Sequence, residues 1–110
     1  MAKIYDVKVT GQALSQMGEI VDYISHVLCA PEAAYNLLER LEKEITDLSE
    51  MPGKFRLIDE EPWKSEGVRK LVVNNFIVYY WIDEENTRVQ VFAVIYEKRD
   101  QIEQLKNIHL

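Results

Sequence analysis

The stretch GVRKLVVNNFIVYYWIDEENTRVQVFAVIYEKRD, from Gly67 to Asp100, decides the fold of this chain. It contains three runs rich in Val, Ile, Tyr, Phe and Trp, which are side chains that suit a pleated surface, and the breaks between the runs are polar. This spacing predicts three antiparallel strands in a meander. Both faces of the central run, FIVYYWI, are apolar, so the sheet needs a cover on each side.

The register of the first two strands follows from the turn between them. Asn74 and Asn75 alone separate the two runs, and Asn tolerates positive φ better than most residues, so a tight two-residue turn fits there. Opposed residues share a face of the ribbon. One face is predicted to pair Val73 with Phe76, Leu71 with Val78 and Arg69 with Tyr80, and the other to pair Val72 with Ile77, Lys70 with Tyr79 and Val68 with Trp81.

Length and composition set the broad class of the protein. A chain of 110 residues is long enough for a single domain, residues 1–110, with one two-layer core. No run is long and apolar enough for a membrane helix and the N-terminus lacks the apolar segment of a signal peptide, so we expect a cytoplasmic protein without a membrane partner.

The net charge and the cysteine count limit the ligands that the protein is expected to bind. The net charge of −6 argues against nucleic-acid binding over the whole surface, because phosphate contacts need a basic patch. The lone cysteine, Cys29, and two histidines do not have the spacing of a zinc site, so we expect no metal and no cofactor. Cys29 lies between Leu28 and Ala30 and is predicted to be a buried small hydrophobe.

The first half of the chain predicts a strand and two helices. The strand runs from Ile4 to Val9, Thr10 is the expected N-cap of a helix over Gln12 to Leu28, and Pro31 suits the first turn of a helix that ends at Leu48. The short link makes the two helices a hairpin across one sheet face. The residues predicted to be buried against the sheet are Leu14, Ile20, Val21, Ile24, Leu38, Leu41 and Ile45, within apolar stripes that extend to Val27 and Leu28.

The remaining segments are less regular. Pro52 and Gly53 end the second helix, and the segment from Lys54 to Glu66 has no clear period, although Phe55 to Ile58 is compatible with a short edge strand. Gln101 to Ile108 is predicted to be a short terminal helix. The fold class is therefore α+β with two layers, in which a helix hairpin packs on one face of a mostly antiparallel sheet of four to five strands.

This order of elements resembles the RelE/ParE family of bacterial toxins from type II toxin-antitoxin modules, whose members are often described as plasmid stabilisation proteins. The helix hairpin from ALSQMGEIVDYI to its Leu48–Pro52 exit is similar to the first third of the family. The meander is similar to the family's GVR-L-V, N-F-IVYY and V-VIY-E-KRD pattern. The resemblance implies that the N-terminal strand lies beside the last strand, that the second sheet face is open, and that a cognate antitoxin neutralises the protein.

Toxins of this family have one of two activities, and this sequence favours one of them. RelE-like members are ribosome-dependent mRNA endoribonucleases that need basic and polar side chains on the open sheet face. Lys70 and Arg99 are candidate catalytic residues for that reading, but Ile77 stands where RelE-like enzymes have an arginine and Leu105 about where they have a tyrosine. ParE-like members poison DNA gyrase by contact rather than by catalysis, and this branch is favoured. A third alternative is a non-toxic interaction partner that retains the fold.

The resemblance also implies a binding surface. Aromatic and branched residues of the meander are expected to remain outside the helix hairpin. An antitoxin's C-terminal segment is expected to cover them and the terminal helix, and its acidic side chains are expected to meet Arg69, Lys98 and Arg99. Alternatively, a second copy of the chain or residues 54–66 cover this surface. Arg69 and Lys70 are also open to a structural interpretation, in which Arg69 stacks on Tyr80 and the Lys70 stem packs beside Tyr79. The expected binding residues are Arg69, Ile77, Tyr79, Trp81, Tyr96, Lys98, Arg99, Ile102 and Leu105.

Overall fold

A computed structural model of the chain describes residues 3–98, which form one sheet and a helix hairpin. The fold is α+β, as the sequence predicts. Its elements are β1 (Asp6–Val9), α1 (Gly11–Asp22), a π-helical turn (Tyr23–Val27), α2 (Pro31–Thr46), 3-10 turns at Asp47–Ser49 and Pro52–Lys54, β2 (Arg69–Val73), β3 (Phe76–Asp83) and β4 (Arg88–Tyr96).

The four strands form a single sheet in the order β1-β4-β3-β2. β2, β3 and β4 pair antiparallel, whereas β1 runs parallel to β4. The N-terminal strand therefore lies beside the last strand, as the family resemblance implies. β1 and β2 are the two edges of the sheet.

The predicted register of β2 and β3 is confirmed for five of the six predicted pairs, from Arg69 opposite Tyr80 to Val73 opposite Phe76. The sixth, Val68 with Trp81, lies beyond the paired residues of β2. Asn74 has a φ of 53°, which is the left-handed conformation that the tight turn requires. Because side chains alternate along a strand, this register assigns every β2 and β3 residue to one of two faces. We call the face under α1 and α2 the hairpin face and the opposite one the second face.

β4 contains a bulge that α1 stabilises. Tyr79 is opposite Ala93 and Tyr80 is opposite Val91, so Phe92 is an extra residue in β4. β1 ends at Val9 opposite Val91, which leaves the following residues of β4 without a strand on that side. Gln12 Nε2 donates to the Phe92 carbonyl at 3.1 Å, and the Val94 amide donates to Gln16 Oε1 at 2.8 Å. Two glutamines one turn apart thus replace the missing strand partner.

The first helix begins as predicted and ends differently. Thr10 is the N-cap, and its Oγ1 accepts a hydrogen bond from the Ala13 amide at 3.1 Å. The predicted helix to Leu28 is α-helical only to Asp22 and continues as the π-helical turn, in which the Leu28 amide donates to the Tyr23 carbonyl at 3.0 Å. A π-turn adds a residue to the repeat and rotates the following side chains around the helix axis.

The second helix agrees with its prediction more closely. Pro31 is in its first turn with Glu32 beside it, and the α-helix ends at Thr46 before a 3-10 turn to Ser49. Pro52 follows after two residues. The short edge strand predicted for Phe55 to Ile58 is not formed, because only Leu57 makes a bridge, to Arg69.

The main core lies between the helices and the hairpin face, and most of the predicted core residues belong to it. Leu41 and Ile45 are buried, and Ile20, Ile24 and Leu38 are partly buried against the same core; Val21 is partly buried as well. The buried members of this core are Ala13, Met17, Leu37, Leu41, Ile45, Leu48, Leu71, Val73, Val78, Tyr80, Val89, Val91 and Val94.

Four predicted burial assignments are wrong. Leu14, Val27 and Leu28 are exposed, because the apolar stripe is wider than the surface that α1 can bury, and because the π-turn rotates Val27 and Leu28 away from the stripe. Cys29 is exposed. It lies in the link between the helices with a φ of 53°, and such connections run over the surface.

The predicted terminal helix, Gln101 to Ile108, lies outside the described residues. Within residues 3–98, no helix has the length and apolar character needed to cross a membrane.

Candidate functional site

The second face is covered more completely than the sequence predicts. Ile77 and Tyr79 lie outside the helix hairpin, as expected, but they are only 9% and 2% exposed. The expected exposure is therefore wrong for these two residues. They belong to a second core that is separate from the one under the helices. Its buried members are Ile58, Val68, Ile77, Tyr79, Phe92, Ala93 and Ile95, with Trp63 and Trp81 packed against it.

The irregular segment before β2 contributes to this cover. Ile58 is buried in the second core and Trp63 packs on it, so part of residues 54–66 lies over the second face, as the alternative interpretation held. The segment is also tied to the edge of β2, because the Ile58 amide donates to the Val68 carbonyl at 3.0 Å and the Lys70 amide donates to the Arg56 carbonyl at 3.2 Å. The second face is therefore not a fully open apolar surface.

Lys70 and Tyr79, which are opposite each other on the second face, do not form an acid-base pair suited to neutral pH. Burial, and to a smaller extent the negative charge of Glu60, raise the pKa of Tyr79 to about 12. A general base works best with a pKa near the working pH, so this phenol is poorly matched to that role. The neighbouring Ile77 offers no hydrogen-bond donor to a phosphate.

Arg69 has a structural task on the hairpin face. Its Nη1 donates to the Phe55 carbonyl at 2.6 Å and to the Gly53 carbonyl at 3.4 Å. Tyr80, opposite it in β3, is fully buried and its hydroxyl donates to the Pro52 carbonyl at 2.5 Å. Burial raises the pKa of Tyr80 to about 12, although the Arg69 charge opposes this shift. The pair thus holds the backbone of residues 52–55 against the sheet.

The other predicted binding residues do not form one surface with these. The Tyr96 ring lies 5.5 Å from the Phe76 ring at the turn end of β3, whereas Trp81 is opposite Gln90 towards the other end of that strand. Lys98 is exposed after β4, and Arg99, Ile102 and Leu105 lie outside the described residues.

Arg88 marks a polar end of the second face that sequence reasoning missed. It is opposite Asp6 in β1 and Asp83 in β3, and its Nε is buried without a hydrogen-bond partner. A side-chain hydrogen bond from Asn86 lowers the pKa of Asp83, and the Arg88 charge adds to this effect. In the described part of the chain, no group of three or more His, Cys, Asp or Glu side chains is placed to hold a metal ion.

The outer edge of β2 is open over a short length. Residues 68 and 70 bond to the preceding segment, and by the alternation of the ladder the backbone groups of Val72 also point outward. Val72 is exposed, and the basic residues Lys54, Arg56, Arg69 and Lys70 occur on or next to this edge. An open edge of this kind can pair with an extended chain.

The end of the helix hairpin is another exposed apolar surface in the described part of the chain. Tyr23, Val27, Leu28 and Tyr35 are all exposed there. We call the segment from Tyr23 to Tyr35 the hairpin tip. Sequence reasoning missed it because the spacing of its apolar residues resembled that of a buried stripe, but one signal was visible: there is no Lys or Arg between Val9 and Glu39.

Comparison with known proteins identifies the family. The family model described as "ParE toxin of type II toxin-antitoxin system, parDE" matches residues 7–101, which is most of the chain. The chain belongs to the ParE toxin family. It is thus a type II toxin-antitoxin family protein, as the sequence motifs indicated. No match was found among curated proteins.

Solved structures of toxin-antitoxin proteins share the fold of this ParE family member. A chain from "Chromosomal ParDE TA system from P. aeruginosa" has a TM-score of 0.69 at 19% identity over 86% of this chain and 98% of its own. A chain of the toxin-antitoxin complex RelBE2 from Mycobacterium tuberculosis has a TM-score of 0.59 at 20% identity, over 84% of this chain and 98% of its own. A mutant E. coli toxin RelE in the free state has a TM-score of 0.65 at 17% identity, over 99% of this chain and all (100%) of its own.

Proposed function

We propose that this ParE family member is a toxin that inhibits DNA gyrase by binding and that a cognate antitoxin neutralises it in the cytoplasm. The observation that carries the choice of target is the environment of Ile77. This residue is the second of β3, the middle strand of the meander. It lies on the second face, where an endoribonuclease of this fold needs charge-stabilising side chains, and it is buried among Ile58, Tyr79 and Ile95. Such a site favours inhibition by contact over catalysis.

Phosphate chemistry has little support in this part of the molecule. RNA cleavage through a ribose 2′-OH requires a base for the hydroxyl and donors for the developing phosphate charge. On the second face, Lys70 is opposite the Tyr79 phenol, which has a pKa raised to about 12. Arg88 lies towards the other end of this face, opposite Asp83 and Asp6. A lysine and a protonated buried tyrosine supply neither the base nor the bidentate donor. The RelE-like activity, with Lys70 and Arg99 as catalytic residues, is the alternative.

The antitoxin is proposed to bind at the β2 edge. An extended segment that aligns with Val72 can hydrogen-bond to the outward backbone groups there and continue the line of residues 56–58. Acidic side chains on that segment would lie near Lys70 and Arg56. The pairing expected from the sequence was with Arg69, Lys98 and Arg99 instead. Of the binding residues predicted from the sequence, Arg69, Trp81, Tyr96 and Lys98 remain partly or fully exposed and stay proposals, as do Arg99, Ile102 and Leu105.

The test of the proposed function uses purified toxin, gyrase and relaxed plasmid. We expect inhibition of supercoiling and trapping of cleaved DNA, and restoration of supercoiling when antitoxin is added first. Primer extension on mRNA after induction in cells is the parallel measurement, and it should show no new cuts. Codon-position cuts that disappear in Arg99→Ala would instead support the endoribonuclease.

Growth after induction separates toxin from non-toxic partner. A toxin arrests growth in a host that lacks the antitoxin gene, and coexpression of the antitoxin restores it. Normal growth with abundant folded protein would leave the fold-retaining interaction partner as the better description. A Val72→Glu variant should still arrest growth but should escape the antitoxin, because it places a negative charge where the incoming acidic segment packs.

A further inference from the structure

The hairpin tip presents four large apolar or aromatic side chains to solvent. Tyr23 is 54% exposed, Val27 64%, Leu28 56% and Tyr35 61%. Scattered exposed residues need no explanation, but here three of the four lie within six consecutive residues, and the fourth is in the second turn of the adjoining helix at the same end of the hairpin. A clustered apolar surface of this kind is typical of a protein interface.

The backbone fixes the arrangement of these side chains. The Leu28 amide donates to the Tyr23 carbonyl at 3.0 Å, and the Ala30 amide donates to the Ile24 carbonyl at 2.9 Å. Tyr23 and Leu28 are therefore held one wide turn apart. π-helical turns are frequent at functional sites, and because none of the exposed side chains belongs to either core, their apolar character is not explained by folding.

The tip and the helical turns that adjoin it are acidic as well as apolar. From Val9 to Glu39 the chain has no Lys or Arg, whereas it has Glu19, Asp22, Glu32 and Glu39. All four carboxylates are exposed. The Tyr35 hydroxyl is hydrogen-bonded to Glu39, which raises the pKa of that phenol, so the aromatic and acidic groups lie together. A complementary partner surface must be basic around an apolar centre.

We propose that the hairpin tip is the surface with which this protein binds its target enzyme, at a basic surface that contains an apolar pocket; this inference rests on the proposed function. Enzymes that bind DNA have basic surfaces. Two other binding partners, a second copy of the chain and the antitoxin, fit the acidic side chains around the tip less well. A second copy of the chain would bring the same carboxylates together, and an antitoxin segment whose acidic side chains pair with Lys70 and Arg56 would be repelled here.

The test compares two variants with the wild-type protein. Val27→Ser combined with Leu28→Ser removes the apolar centre of the tip. Leu14→Ser is the matched control, since Leu14 is an equally exposed leucine of the same hairpin, nine residues and therefore about 14 Å along the helix from Tyr23. Circular dichroism and antitoxin binding by calorimetry should be unchanged in both variants. The tip variant should need at least about tenfold more protein for half-inhibition of supercoiling, and the control less than about twofold more.

Asp22→Lys provides a second readout, because the proposed pairing is electrostatic. It should weaken inhibition at low salt more than at high salt, where charges are screened. If wild-type protein does not inhibit gyrase, the proposed function fails and this inference fails with it. If wild-type protein inhibits and the tip variant inhibits equally, the inference alone fails. Loss of antitoxin binding in the tip variant, or conversion of a dimer into a monomer in sedimentation, would assign the tip to the antitoxin or to a second copy.

Discussion

Removal of one hydroxyl group, by Tyr80→Phe, tests how the segment before β2 is held in place. The Tyr80 side chain is fully buried and its hydroxyl donates to the Pro52 carbonyl at 2.5 Å. Phenylalanine fills the same space, so no cavity forms at the ring, but the Pro52 carbonyl loses its donor inside the protein. A buried acceptor without a partner costs about 1–3 kcal/mol. We expect a loss of about 1.5 kcal/mol in the free energy of unfolding.

Urea denaturation followed by circular dichroism measures this loss. For an m value of about 1.5 kcal/mol/M, the midpoint should fall by about 1 M while m stays constant. Tyr5→Phe is the matched control, because the Tyr5 hydroxyl donates to Glu84 on the exposed surface at 2.9 Å, and its midpoint should equal that of wild type. If Tyr80→Phe behaves like Tyr5→Phe, the hydrogen bond to Pro52 does not stabilise the fold.

Arg69 extends this test to a double-mutant cycle. Arg69→Met removes the donor to the Phe55 and Gly53 carbonyls and keeps much of the apolar stem. Since Arg69 and Tyr80 hold the same four residues, the double variant should lose less than the sum of the single losses, with a coupling of about 0.5 kcal/mol or more. Additive losses would show that the two contacts are independent.

Three further predictions concern the core, the bulge and pH. Leu41→Ala should lose about 2–5 kcal/mol because Leu41 is fully buried, whereas the exposed Leu14→Ala should change stability by less than about 0.5 kcal/mol; equal losses in urea denaturation would contradict the burial assignments. Gln16→Leu should lose about 0.5–1.5 kcal/mol and speed amide exchange at Val94, whose amide donates to Gln16; unchanged exchange would show that this bond is unimportant. Burial raises the pKa of Tyr79 and of Tyr80 to about 12 in the folded protein, whereas a tyrosine in the unfolded chain has a pKa of about 10. The unfolded chain therefore loses these protons first, and the free energy of unfolding should fall from pH 10 to 12 by up to about 1.4 kcal/mol per pH unit for each tyrosine. Tyr80→Phe should make this fall shallower.

The meander could be predicted residue by residue because two local signals agreed there. Side chains alternate with a period of two, and a two-residue turn leaves no freedom in the pairing, so Asn74 and Asn75 determined which residue faces which. The position of β1 beside β4 followed from the family resemblance instead, because no local signal specifies a pairing between residues about 80 positions apart.

The helix hairpin was predicted in its extent but not in all of its packing. A helical period indicates which side chains share a side, yet it does not show how much of that side the sheet can cover. Leu14 lies at the border of the stripe and is exposed. The π-turn from Tyr23 has no recognisable sequence pattern, so the rotation that exposes Val27 and Leu28 could not be inferred.

The cover on the second face was the least predictable feature. Ile58 and Trp63 come from a segment without a hydrophobic period, and such segments are positioned by tertiary contacts rather than by local preference. The exposure expected for Ile77 and Tyr79 was therefore wrong. The expectation of an antitoxin partner did not depend on this cover, and the proposed antitoxin site lies at the β2 edge instead.

The parallel pairing of β1 with β4 has a consequence for synthesis of the protein. β1 pairs through Asp6 to Val9 with Arg88 to Val91, and α1 donates to and accepts from the same strand at Phe92 and Val94. The N-terminal strand and first helix leave the ribosome early, but their partner strand is translated about 80 residues later, and long-range pairing waits for the intervening chain. A nascent chain that has not reached Arg88 therefore lacks the strand with which β1 pairs and to which α1 is hydrogen-bonded. The contacts that position β1 and α1 can form only after Arg88 to Val94 have been translated.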